Sequence, residues 1–192
     1  MQSRELESVD YPDAWVEELG LERNKVALTK QSSSADYQGA DHQTRLNGLP
    51  KIDSTGTFDP LIAHPCVLPF LRSFMERPQL VNIWSISKSR GSPGGSFHAG
   101  GEPHDYQVDT RRQIRSKTIN VIWMLTDNSP GDGEMVLLPG SHKANFPAED
   151  LLVLDGERLP VELVPGAVAV HAKAGSVLIM SECTKHSGLP KT

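Results

Sequence analysis

The chain has 192 residues, 38% apolar and 22% charged, with 16 glycines and 14 prolines. A chain of this length buries roughly 70% of its unfolded surface, which suits one globular domain without a disulfide or metal staple and excludes collagen-like, coiled-coil and disulfide-scaffold classes. With 24 acidic against 19 basic residues, a net charge of −5 and no basic cluster beyond Arg111, Arg112, Arg115 and Lys117, the composition argues against nucleic acid as the main partner.

Cys66 and Cys183 are too few for a framework, and the polar opening Met1 to Asp10 lacks the apolar run of a signal peptide. No apolar stretch approaches the roughly 20 residues a bilayer requires. The expectation is a soluble cytoplasmic protein with no membrane partner.

Taken in chain order, Asp10 and Asp13 flank Pro12 ahead of Ala14, Trp15, Val16 and Leu19, with Gly20 following, a pattern that predicts a short helix. Lys30 to Gly56 is rich in Ser, Asp, Gln and Gly and reads as a long loop or lid. Asp59-Pro60 and Pro65 open a stronger helix in which Val67, Leu68, Leu71 and Met75 recur at spacings of three and four and form one stripe. Seven strand-length runs then follow: Leu80 to Ile86, Lys117 to Asp127, Glu134 to Leu138, Leu151 to Leu154, Pro160 to Val164, Ala167 to His171 and Ser176 to Ser181. The run around Ile119 to Leu125 has apolar residues on both faces, the mark of a central strand. Gly131-Asp132-Gly133 predicts a hairpin joining it to Met135-Val136-Leu137-Leu138. The fold class expected is mainly β, an antiparallel jelly roll with helices outside.

Seven histidines carry most of the chemical potential: His42, His64, His98, His104, His142, His171 and His186. His42 and His64 read as solvated or capping residues, and His171 as a solvent-facing strand end. His98 and His104 flank Gly100, Gly101, Glu102, Pro103 and Asp105, a Gly-rich stretch with several metal-ligating side chains, and His186 follows the apolar strand Val177 to Met180. A jelly roll brings such strand ends together across its mouth, and two imidazoles with one carboxylate on one face is the usual Fe(II) arrangement.

Phe58-Asp59-Pro60-Leu61-Ile62 with His64-Pro65, Phe97-His98, Pro139-Gly140-Ser141-His142-Lys143-Ala144-Asn145-Phe146, and Ala174-Gly175-Ser176-Val177 followed by His186 resemble the phytanoyl-CoA dioxygenase family. The resemblance covers about residues 57 to 190, and its most specific element is the PGSHK turn. It implies a double-stranded β-helix over residues 57–192, with residues 1–56 as a helical and loop extension. It also implies an enzyme that binds Fe(II), takes 2-oxoglutarate as co-substrate and hydroxylates a small organic substrate with dioxygen. His98 and His186 become the two imidazole ligands. Trp123 takes a position that lines the co-substrate pocket in the family, or is simply a core aromatic, and Ser187 is a further contact for the co-substrate. His142 reads as a structural hydrogen-bonder and Lys143 as solvated.

Two departures from the family pattern stand out. The family carries a carboxylate two residues after its first histidine, since i and i+2 on a strand point the same way, and here that position is Gly100. Glu102 is the preferred replacement, an even offset from His98, with Asp105 as the alternative if the loop turns. A Gly here also resembles the halogenase branch of these enzymes, where halide fills the vacated site, or a noncatalytic jelly-roll binding protein with a degenerate metal site. The second departure is the arginine that the family places past the second histidine to pair with the far carboxylate of 2-oxoglutarate. The sequence ends at Thr192, which leads to the expectation of a C-terminally incomplete domain lacking its last strand, with Arg115 or Lys117 as substitute anchors.

Overall fold

A computed structural model describes residues 30–32, 43–47, 56–101, 105–144, 146–148, 153–154 and 156–192. The helix expected at Asp10 to Gly20 lies outside the described residues. The chain divides into two compact units, Met1–Ser87 and Lys88–Thr192, a boundary inside the expected 57–192 domain.

In the first unit, β1 (Lys30–Ser32) and β2 (Gln43–Asn47) pair antiparallel with Lys30 opposite Leu46, and β3 (Trp84–Lys88) joins the other edge of β2. Part of the expected long loop is therefore strand. The ladder is made by backbone groups, which a polar composition does not advertise. The expected single helix is two, α1 (Asp59–Ile62) and α2 (Leu68–Phe74). Pro65 explains the break, because proline lacks an N–H and disfavours helical backbone at the residue before it. The apolar stripe is as expected: Val67 is 1% exposed, while Leu68, Leu71 and Met75 are half-buried and Pro69, Phe70 and Arg72 face outward.

The second unit holds β4 (Tyr106–Val108), β5 (Ile114–Ser116), β6 (Ile119–Trp123), β7 (Met135–Leu137), β8 (Val153–Leu154), β9 (Glu157–Arg158), β10 (Val168–Ala169), β11 (Val177–Ser181) and β12 (His186–Gly188). Every registered pairing is antiparallel: β4 with β5, β6 with β11, β8 with β9, and β7 between β10 and β12. The β6–β11 ladder sets Ile122 against Leu178 and Val121 against Ile179, cross-strand aliphatic pairs of the kind that stabilise sheets. The expected jelly-roll class holds, although the described sheets do not close into a barrel.

Two local expectations are corrected, and one hairpin is added. Gly131 and Gly133 take the expected positive φ of 89° and 75°, yet the connection is no hairpin, because β6 pairs with β11 while β7 lies in the sheet of β10 and β12. The run Pro160 to Val164 contains a 3-10 turn, Val161–Leu163. Its apolar residues Val161 and Val164, each 5% exposed, stand three apart and share one face of such a turn. The β4–β5 hairpin was not foreseen; Asp109 builds its turn by accepting the N–H groups of Arg111 at 2.8 Å and Gln113 at 2.9 Å.

The core of this unit is Phe97, Val136, Ala148, Val161 and Val164, with Ala167 and Leu189 packed against it. Among the described residues no helix is long and apolar enough to cross a membrane.

Candidate metal centre

His98 and His186 lie directly opposite each other in an antiparallel bridge beside β12. Each donates its backbone N–H to the carbonyl of the other at 2.9 Å. Residues so paired project their side chains to the same face, and the ring centroids stand 4.3 Å apart at an interplanar angle of 56°. Both rings are held by the same device. His98 Nδ1 donates to the carbonyl of Ser96 at 3.0 Å and His186 Nδ1 to that of Thr184 at 2.7 Å. A carbonyl only accepts, so the proton of each neutral ring is on Nδ1 and the lone pair on Nε2.

His186 is 5% exposed. Burial holds its pKa below the usual imidazole value, the bond to the Thr184 carbonyl works against that shift, and the charge of His98 reinforces it. A neutral imidazole with a free Nε2 is the form that ligates a metal.

The third position was expected at Glu102, with Asp105 as the alternative. Glu102 lies outside the described residues. Asp105 is turned to Lys117, with Nζ to Oδ1 at 3.0 Å. Among the described residues no three His, Cys, Asp or Glu side chains are already grouped to hold a metal ion.

A different carboxylate lies against Gly100. Continuing the His98–His186 register would set Gly100 opposite Thr184, but the Gly100 N–H reaches the carbonyl of Glu182 at 3.2 Å. The turn between β11 and β12 supplies the extra residues. A Cβ built on Gly100 would meet Glu182 Cγ at 2.8 Å and Cδ at 2.9 Å, and Oε1 closer still. Glu182 Oε2 is buried with no hydrogen-bond partner. Burial raises the pKa of this carboxyl above the ordinary range, opposed by the charge of His98 and the Gly100 N–H.

The other expected site residues are dispersed. Trp123 is half-buried at the end of β6, opposite Val177. Ser187, 2% exposed with Oγ buried and unpartnered, is opposite Val136, and strand alternation turns it toward the core face, away from His186. Arg115 reaches Gln113 at 3.1 Å and Asp109 at 4.0 Å, so both expected anchors engage residues of their own hairpin.

Lys185 escaped the sequence reading altogether. It is 7% exposed. Its N–H donates to Ser141 Oγ at 2.8 Å, its ammonium to the carbonyls of Ser141 at 3.2 Å and Ala144 at 3.0 Å, and Nζ lies 4.7 Å from the centroid of the Phe146 ring. It ties the PGSHK turn, in which Gly140 takes a φ of 82°, to the segment entering β12. His142 of that turn meets Tyr106 edge-on at 4.5 Å, and Lys143 is exposed as expected. A cleft of about 210 Å³ runs past His98, His142, Phe146, Cys183 and Lys185.

The family model described as phytanoyl-CoA dioxygenase (PhyH) matches residues 12–192. HygX from Streptomyces hygroscopicus, solved with nickel and 2-oxoglutarate bound, has a TM-score of 0.63 at 21% identity, covering 94% of this chain and 74% of that one. Its iron-bound structure has a TM-score of 0.62 at 21% identity, covering 77% and 65%. SnoN, the non-heme alpha ketoglutarate dependent epimerase from nogalamycin biosynthesis, has a TM-score of 0.56 at 16% identity, covering 93% and 65%. At such identities the likeness shows a common fold. No curated protein matches the sequence.

Proposed function

The chain belongs to the phytanoyl-CoA dioxygenase family, and from that premise we propose that it is an Fe(II)- and 2-oxoglutarate-dependent oxygenase that hydroxylates a small organic substrate. The observation that carries the reading is the His98–His186 pair, two imidazoles on one sheet face with Nδ1 of each committed to a carbonyl.

His98 and His186 would hold the metal through Nε2. When bound, Fe(II) with 2-oxoglutarate supplies the oxidising power, so that R–H, dioxygen and 2-oxoglutarate give R–OH, carbon dioxide and succinate. The chain contributes orientation and shelter. The Ser96 and Thr184 carbonyls fix ring rotation and tautomer, which raises ligand basicity, and burial shifts the His186 pKa down, toward the neutral form. The cleft beside His98, with Phe146 as an apolar wall and His142 as a polar one, has room for a small molecule. HygX, one of the structural relatives, has been solved with hygromycin B bound, and a small-molecule substrate is the class we assign here.

The test is succinate release from 2-oxoglutarate under air with Fe(II), without added substrate, for the wild type beside His98→Ala. The expected result is slow uncoupled turnover that the variant lacks. Equal succinate from both proteins overturns the reading in favour of a noncatalytic jelly-roll binding protein.

A further inference from the structure

We propose that Glu182 is the carboxylate of this metal centre, reaching it from the β11–β12 turn in place of the side chain that Gly100 lacks. The proposal rests on the oxygenase reading of His98 and His186.

A side chain at position 100 and Glu182 in its present position exclude each other. Any side chain at position 100 would begin inside the volume that Glu182 Cγ and Cδ already fill, at 2.8 and 2.9 Å from the ideal Cβ. An aspartate at 100 would place its own carboxyl within one or two bond lengths of that Cβ, so Glu182 delivers the same group to the same space from the facing segment. The backbone bond from Gly100 N–H to the Glu182 carbonyl, 3.2 Å, holds the two segments at this distance.

Glu182 Oε2 is buried with no hydrogen-bond partner, a costly state for a carboxylate unless something else satisfies it. A cation bound by the adjacent His98 and His186 is such a partner. The side chain is not yet grouped with the imidazoles, and rotation about its own bonds toward His98 brings it in. The glycine is then no sign of a degenerate site, nor of a position left open for halide. It is the gap that admits Glu182.

The probe is Co(II), followed by calorimetry and by its visible spectrum, in sulfate buffer. The proteins are the wild type, His98→Ala, His186→Ala, Glu182→Gln, Gly100→Ala and the pair Gly100→Asp with Glu182→Ala, each checked for folding by metal-free thermal melting. Glu182→Gln should weaken Co(II) binding by roughly tenfold or more. Gly100→Ala should weaken it too, because its Cβ displaces Glu182 without deleting it. The double variant should recover most of the loss by carrying the carboxylate at position 100.

Should Glu182→Gln bind as the wild type does while both histidine variants fail, the inference is wrong and the oxygenase reading survives. If the histidine variants bind normally, both fall. A Co(II) spectrum that shifts to the same extent in the wild type and in Glu182→Gln when chloride replaces sulfate would show that Glu182 holds no position open to halide, and would also overturn the inference.

Discussion

His98 and His186 exchange backbone hydrogen bonds at 2.9 Å in both directions, so the two imidazoles share a face by sheet geometry rather than by any loop conformation. They are unequal in burial, with His186 5% exposed and His98 open to solvent. Replacing His186 by Ala removes the donor to the buried Thr184 carbonyl and leaves a void, and should lower metal-free stability by roughly 1–3 kcal/mol. His98→Ala should cost about 0.5 kcal/mol or less. Both variants should lose metal. Urea unfolding of metal-free proteins measures the difference, and equal destabilisation would contradict the asymmetry.

Lys185 donates from its ammonium to two carbonyls, those of Ser141 and Ala144. Lys185→Met keeps the stem and removes the donors; the Ser141 carbonyl keeps the Ala144 N–H at 3.1 Å, whereas the Ala144 carbonyl loses its ammonium partner, at a cost of about 2 kcal/mol. Ser141→Ala removes only the acceptor of the Lys185 N–H and should cost about 1 kcal/mol. Denaturant midpoints rank the two, and the reverse order would show that the ammonium adds little to the turn.

Asp127 accepts the Ala174 N–H at 3.0 Å and the Lys173 ammonium at 2.6 Å. These contacts lower the pKa of Asp127, the Ala174 bond most and the Lys173 bond next, against desolvation, which raises it. Asp127 in turn raises the pKa of Lys173. A carboxyl with a depressed folded pKa stabilises the fold above its unfolded value near 3.8, and that contribution is lost as pH falls through the folded pKa. The raised lysine contributes below 10.5 and loses that contribution as pH climbs through its folded value. Asp127→Asn should therefore lower the melting temperature at neutral pH and leave it nearly unchanged in strong acid. A difference of the same size at both pH values would refute the linkage. Both groups are exposed, so the neutral-pH effect should be small and reduced by salt.

Arg115 and Lys117 pair with Asp109 and Asp105 at 4.0 and 3.0 Å, and Lys117 is 63% exposed. Both are held by carboxylates of their own hairpin region. Arg115→Ala and Lys117→Ala should leave 2-oxoglutarate affinity, measured by calorimetry with Ni(II), within about twofold of the wild type, as expected of changes away from the site. A tenfold loss in either would identify the anchor for the far carboxylate.

How much could be read from the chain alone varies with the element. The β-branched runs Ile119 to Trp123 and Val177 to Ser181 are strands as expected, because period and propensity are local properties. Which strands they would join was not legible. Gly131 and Gly133 have the expected left-handed backbone, yet β6 and β7 pair with different partners, since a turn residue reports its own torsion and not the sheet beyond it. Pro160 to Val164 shows the opposite failure: an apolar spacing that fits both a strand and a tight helical turn is settled only by the core it packs against.

The jelly-roll class and the PGSHK turn were legible in the chain, and so were His98 and His186 as candidates, because each rests on residue type and short-range order; that the two face each other is seen only in the fold. Only the folded chain shows which carboxylate stands against Gly100. A carboxylate two residues beyond His98 can be sought along the chain, and it is absent. A carboxylate 82 residues beyond Gly100, at Glu182, is visible only once the β11–β12 turn brings it against that glycine. Lys185 is the same case, a lysine that composition assigns to the surface and that strand pairing buries beneath the turn. The physical reason is common to both: side-chain alternation and backbone torsions are set by near neighbours, whereas the partner across a ladder is chosen by the register of distant segments.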